Sequence, residues 1–423
     1  MDTLAARLNP NLRATRHSET LLANQVCERL ARQNRTVYRL GFGQSPFPVP
    51  PTVVAALRAA AGRKEYVDVA GLPELRKAAA DFHSARQRED WDPERVIVGA
   101  GSKILLYAML AAVERADVAL VTPGWVSYEP QALLAGHRVY RLRTSYEQRW
   151  RLTAQALANF CENRGGTSRP LFLVLNYPGN PDGLAYTAAE LASLAAVLRR
   201  HGVVVISDEI YGLLHHRGEH HSIADFYPEG TVITTGLSKW CGAGGWRLGL
   251  AHISPGLGED YLQRVIGICS ETMSCAPAPI QHAALAAYAT EPGMDGFLHY
   301  QRETLASLGQ HCAIKLQSAG VRVHPPEGGF YLLPDFSHFR DALRTLGINT
   351  GEQLTAALLA EAGVSLLPGS AFGMPADSLT ARLAYVDFDG GSWVNREPCD
   401  TQRVERGLDS LCAWLAGAVT KAG

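Results

Sequence analysis

The sequence predicts an α/β protein: a large domain with a mostly parallel sheet flanked by helices, and a smaller α+β domain after it. Two observations carry this. Short β-branched runs alternate with longer stretches of helical period, the pattern of parallel βαβ units. Past about residue 295 the alternation gives way to one long helical stretch and several short strands.

Taken in order, VIVGAGS (96–102) reads as a strand leading into the helix KILLYAMLAAVE, and VALVTPGW (118–125) as a strand leading into VSYEPQALLAG. LFLVLNYPGNP (171–181), VVVISDEIY (203–211) and TVITTGLSK (231–239) follow as strands, with TAAELASLAAVLRRHG as the helix between the first two. Runs this apolar predict a parallel sheet buried on both faces. Each ends in polar, Gly or Pro residues, and ligands of open α/β sheets sit beyond the carboxyl ends of the strands, so the chemistry is expected in these loops.

The later part reads as the helix HYQRETLASLGQHCAIKLQSAG, the strands VRVHPPEGGFYLLPDF, VSLLPGSAFG and LTARLAYVDF, and a last helix near 401–418. At the start, TLLANQVCERLARQ is helical, and LGFGQSPFPVPP takes an extended, turn-rich path across the domain junction. The expected division is an N-terminal arm with part of the small domain (1–50), the large domain (51–295) and the small C-terminal domain (296–423). A TIM barrel would use the same alternation, but the segregated α+β section argues against it.

The composition excludes several classes. With 40 Lys+Arg against 41 Asp+Glu and a net charge of −1, the chain has no basic excess to hold a nucleic-acid backbone. At 47% hydrophobic and 19% charged residues it can bury a large core. No stretch reaches the roughly 18 to 20 apolar residues of a membrane helix, and the first twenty residues lack the apolar centre of a secretory signal. A cytoplasmic protein is expected. The 8 cysteines form no CxxC and read as isolated thiols.

Of the six lysines (64, 77, 103, 239, 315, 421), Lys239 alone follows directly on a buried strand. Partial desolvation there favours the neutral amine that attacks carbonyls, and the glycines after it let the backbone approach a bound group.

Seven segments set Lys239 in context: YVDVAGLPELR (66–76), GAGSK (99–103), TPGWVSY (122–128), NYPGNPDG (176–183), SDEIY (207–211), SKWCGAGGWRLG (238–249) and LTARLAY (379–385). In this order they resemble the fold type I pyridoxal-phosphate enzymes, specifically the class I/II aminotransferases related to aspartate aminotransferase. The resemblance implies that Lys239 holds pyridoxal 5′-phosphate as a Schiff base. It further implies that Asp208 faces the ring nitrogen, Tyr211 and Asn180 the ring's phenolic oxygen, and that Trp125 stacks on the ring. A carboxylate beside the ring nitrogen keeps that nitrogen protonated, which the ring needs to act as an electron sink.

The phosphate is expected on the amides of Gly101, Ser102 and Lys103 at a helix start, with Arg247 and Ser238 completing its cradle. Arg382 matches the arginine that grips the substrate α-carboxylate, and Gly41 and Gly43 lie where relatives close over the substrate. Tyr66 resembles a tyrosine that reaches the neighbouring subunit's phosphate, implying a homodimer with shared active sites.

The implied reaction moves an amino group between an L-amino acid and a 2-oxo acid. The same scaffold also hosts elimination, replacement, cyclisation and C–C bond formation, and a non-catalytic binding protein is a third possibility. Two departures bear on the pocket. NYPGNPDG stands where relatives commonly have NxPNNPTG, and CGAGGWRLG where they have a phrase ending in MTGWRLG. No second cation for a side-chain carboxylate stands out. The HHRGEHH stretch (215–221) is expected to be a polar hairpin and not a metal site, Glu209 to point away from Asp208, and Arg138, Arg141 and Arg143 to form a solvated strand face.

Overall fold

The computed structural model describes residues 19–88, 90–165, 167–289, 292–395 and 397–422. Seven strands form the main sheet: β1 Val96–Gly99, β2 Asp117–Thr122, β3 Arg138–Arg143, β4 Leu171–Asn176, β5 Val204–Asp208, β6 Thr231–Gly236 and β7 Gly249–Ile253. Their spatial order is β1-β7-β6-β5-β4-β2-β3. This is the expected α/β architecture, a mostly parallel sheet with helices covering it.

Successive residues of β4 enter opposite cores. Phe172 and Val174 pack with Val118, Ile206 and Val232, whereas Leu171, Leu173 and Leu175 pack with Ala119 and Val205. The helix Ala188–His201, which connects β4 to β5, starts at a capping box between Thr187 and Glu190 and stops at Gly202, whose φ of 59° suits a residue without a Cβ.

Two features differ from the expected sheet. β7 pairs antiparallel with both β6 and β1. The run GLAHI carries no strand-to-helix change of period in the sequence, because a turn-rich connection from β6 replaces the helical crossover that a parallel neighbour requires. β3 is an edge strand, and Arg138, Arg141 and Arg143 on it are exposed, so burial on both faces fails there.

A second, antiparallel sheet has the order β8-β10-β9, with β8 Tyr331–Leu332, β9 Leu367–Pro368 and β10 Ala381–Ala384. These strands are shorter than the runs suggested. Pro326, Pro334 and Pro368 carry no N–H and interrupt the ladders, leaving single bridges such as Arg322 to Asp335. The N-terminal helix Glu19–Arg32 precedes an extended segment that joins this sheet: Tyr38 exchanges backbone hydrogen bonds with Gly363 and Ser365, and Leu40 accepts from Ala384 at 2.7 Å. No described helix is long and apolar enough to cross a membrane.

The register aligns the ends of the strands. Asn176 of β4 stands beside Asp208 of β5, and Asp208 beside Thr234 of β6. Gly236, Gly249 and Gly99 form a row across β6, β7 and β1. The candidate residues lie just beyond this edge.

Candidate active site

Lys239 sits in the connection from β6 to β7. Its Nζ donates to the Gly43 carbonyl at 2.8 Å and lies 5.6 Å from the Tyr211 ring centroid and 5.7 Å from that of Phe330. Burial pushes its pKa down, and the Arg382 and Arg247 charges act in the same direction against Tyr331 and Asp208. The amine is therefore easier to deprotonate than a surface lysine.

Asp208 ends β5 and is buried. Tyr128 donates to its Oδ2 at 2.7 Å and Thr234 to its Oδ1 at 3.2 Å. Burial nevertheless raises its pKa to about 6, outweighing these donors. Such a carboxylate is incompletely compensated and gains from a cation placed against it.

Arg382, on β10, is 1% exposed. Its Nη1 donates to Asn180 Oδ1 at 2.8 Å and its Nη2 to the Gly41 carbonyl at 2.6 Å, while its Nε is buried without a partner. The guanidinium lies over the Tyr331 and Phe372 rings at 4.5 and 4.9 Å. Burial pushes its pKa down. A buried guanidinium paired only with neutral oxygens and aromatic faces is a receptor for a carboxylate.

Gly101 caps the helix Ser102–Ala111 with φ 91°, and a Cβ there would meet the Arg247 guanidinium. Arg247 Nη1 donates to the Gly244 carbonyl at 3.0 Å. The helix start, with its unpaired amides, rests on Gly249, where a Cβ would strike the Ser102 amide. Lys103 Nζ is 4.9 Å from the Trp125 ring, which meets Tyr128 edge-on at 5.2 Å. Burial, then Arg247, lowers the Lys103 pKa. Gly249→Ala is expected to cost about 1–3 kcal/mol in a denaturant titration, by overpacking, and to weaken anion binding at the helix start.

The structure thus gathers Gly43, Gly101, Ser102, Lys103, Trp125, Asn180, Asp208, Tyr211, Ser238, Lys239, Arg247 and Arg382 around the ends of the strands. Tyr66 is not among them: at 89% exposure it faces away from its own chain. Sequence reasoning missed Tyr128, Thr234, Phe330 and Tyr331 as parts of the cluster. Tyr128 and Thr234 bind Asp208 through cross-sheet proximity. Tyr331, whose hydroxyl is 2.9 Å from that of Tyr211, comes from the other sheet. The one signal for it is the aromatic pair in GGFYLLP.

On the opposite face, Glu209 accepts from Ser222 at 2.6 Å and Ser207 at 2.8 Å, and meets His220 Nε2 at 2.8 Å. His215 accepts from the Glu219 amide, and His216 bridges the carbonyls of Pro326 and Gly329. The histidine-rich stretch is thus engaged in separate contacts, and among the described residues no His, Cys, Asp and Glu group is arranged to hold a metal.

A fold type I scaffold with a desolvated lysine between a buried carboxylate and two arginines defines a transferase acting on amines and carbonyls. Residues 35–385 match the family "Aminotransferase class I and II", and the chain belongs to it. The aspartate aminotransferase of Geobacillus stearothermophilus is 34% identical over 87% of this chain and 92% of its own length. The aspartate/prephenate aminotransferase of Cereibacter sphaeroides is 33% identical, covering 97% of this chain and 100% of that one. Among solved structures, the aspartate aminotransferase from Thermus thermophilus with maleate superposes with a TM-score of 0.84 at 27% identity, over 96% of this chain and 99% of that one. The chain is an aminotransferase.

Proposed function

We propose that this aminotransferase binds pyridoxal 5′-phosphate on Lys239 and moves an amino group between an L-amino acid docked on Arg382 and a 2-oxo acid. The observation that supports this best is a mismatch of charge. Lys103, Lys239, Arg247 and Arg382 converge on the strand ends, and among the described residues none of them has a carboxylate within ion-pair distance. The buried carboxylate at the end of β5, Asp208, is bound by two hydroxyls. A molecule carrying a phosphate, a carbonyl and a protonated ring nitrogen, followed by a substrate carboxylate, meets each of these demands.

When bound, the cofactor supplies an electron sink for the charge left at the substrate Cα. The protein's own residues do the rest. Gly101, Ser102, Lys103, Ser238 and Arg247 would hold the phosphate, and Trp125 would pack on the ring. Asp208 would supply negative charge to the ring nitrogen, and Tyr128 and Thr234 orient that carboxylate. Tyr211 remains a neutral phenol, because burial and Tyr331 raise its pKa well above the usual range, and it donates with Asn180 to the ring oxygen. Arg382 would fix the substrate through its carboxylate; once the substrate's amino group has taken the place of Lys239, the freed Lys239 amine faces the Cα proton, removes it and, as the ammonium, hands it back to complete the transfer.

The enzyme is further proposed to work in the cytoplasm as a homodimer, with the exposed Tyr66 completing the partner's site. The test is a panel of amino donors, aspartate included, assayed for 2-oxo acid formation with a fixed acceptor. Stoichiometric 2-oxo acid and new amino acid support the reading. Released ammonia without a new amino acid refutes it.

Asp208→Asn gives a prediction with a definite sign. Because burial raises the folded pKa to about 6 from 3.8, the contribution of Asp208 to the stability of the cofactor-free protein is full below about pH 3.8 and lost as pH rises through 6. The cofactor-free Asn variant is therefore expected to match the wild type near pH 4 and to exceed it by about 3 kcal/mol at pH 7.5. Denaturant titrations at the two pH values check this, and a gap independent of pH contradicts it. With cofactor, the order reverses in activity.

A further inference from the structure

The turn presenting Asn180 to Arg382 is anchored from behind. Asp182 and Arg151 form an ion pair in which the side chains are 5% and 4% exposed. Asp182 Oδ1 also accepts from the Leu184 amide at 2.8 Å. Arg151 Nε donates to the Arg149 carbonyl at 3.0 Å, and its guanidinium lies 5.1 Å from the Tyr186 ring centroid, whose hydroxyl accepts from the Leu152 amide. Within the turn, the Gly179 amide donates to the Leu184 carbonyl at 2.9 Å and the Asn180 amide to Asn176 Oδ1 at 2.9 Å. A 20 Å³ cavity, room for about one water, is bordered by Arg151, Asp182, Asn176, Asn180 and Tyr128.

Gly179 completes the arrangement. A Cβ at this position would land on the Asp182 carboxylate, so a side chain at 179 and the buried carboxylate exclude each other. The two departures of NYPGNPDG from NxPNNPTG therefore meet at one place in the structure. A buried ion pair is a poor source of net stability, since desolvation offsets the attraction, and its value lies in holding one conformation.

We propose that the Arg151–Asp182 pair positions Asn180, and through it the Arg382 fork, for the substrate carboxylate, and that Gly179 is required to make room for it. This rests on Arg382 being the carboxylate dock, and the test separates the two. In the cofactor-saturated enzyme, Asp182→Asn raises KM for the amino donor about tenfold while kcat falls by less than about threefold. An unchanged KM, or a fall in kcat that exceeds the rise in KM, overturns the positioning role.

Arg382→Lys is assayed alongside. If its KM is unchanged, the docking reading falls and this inference with it. If its KM rises while that of Asp182→Asn does not, only the inference falls. Should Asp182→Asn fail to fold, Gly179→Asn decides: alone it raises KM, and adding Asp182→Thr restores KM at least about fivefold. Absence of rescue overturns the pairing of 179 with 182.

Discussion

Lys239→Ala is expected to lower kcat by about four orders of magnitude or more and to abolish covalent retention of the cofactor. Both effects come from one atom. Nζ is held by the Gly43 carbonyl between the Tyr211 and Phe330 rings, and burial has made it easier to deprotonate. The remaining lysine near the site, Lys103, lies against Trp125 at the helix start and cannot take over the proton transfer without abandoning that position. Steady-state assays with added methylamine give a second handle. Partial rescue by the free amine locates the defect in proton transfer, whereas full activity of the unrescued variant would remove Lys239 from the reaction.

Arg382→Lys is expected to reduce kcat/KM by about 30- to 3,000-fold, chiefly through KM, with the cofactor spectrum unchanged. The range follows from the roughly 2–5 kcal/mol that loss of one partner of a buried, hydrogen-bonded charge pair costs, at 1.4 kcal/mol per tenfold. Lysine keeps the charge but not the planar fork, which here divides its N–H groups between Asn180, Gly41 and the free Nε direction. Measuring KM for an amino acid and for its decarboxylated amine separates docking from a general structural effect. Equal losses on both substrates would contradict carboxylate recognition.

The sheet was legible wherever a strand fed a helical crossover, because the change of period from 2 to 3.6 marks both ends of such a unit. β7 lacks that mark, since it follows β6 through a turn-rich connection without an α-helix and pairs antiparallel with both β6 and β1. The short strands of the second sheet were overestimated because prolines break the hydrogen-bond ladder without breaking the apolar pattern. In the site, residues within quoted segments, such as Asp208, Lys239 and Arg382, could be named from local context and resemblance. Tyr128 sat inside TPGWVSY without an assigned role, because its hydrogen bond to Asp208 spans 80 residues. Tyr331 depends on the packing of one sheet against the end of the other, which periodicity along the chain does not encode.

The Arg151–Asp182 pair shows how a departure from a family phrase is read. As letters, Gly179 and Asp182 are two unrelated changes. In three dimensions one occupies the space the other vacates, beneath the residue that orients Arg382.

The most direct measurement is to reduce the cofactor-loaded enzyme with borohydride, digest it and locate the added mass by peptide sequencing. The label is expected on Lys239 alone of the six lysines. A label on Lys103 or any other lysine, or a cofactor washed away unreduced, would contradict it.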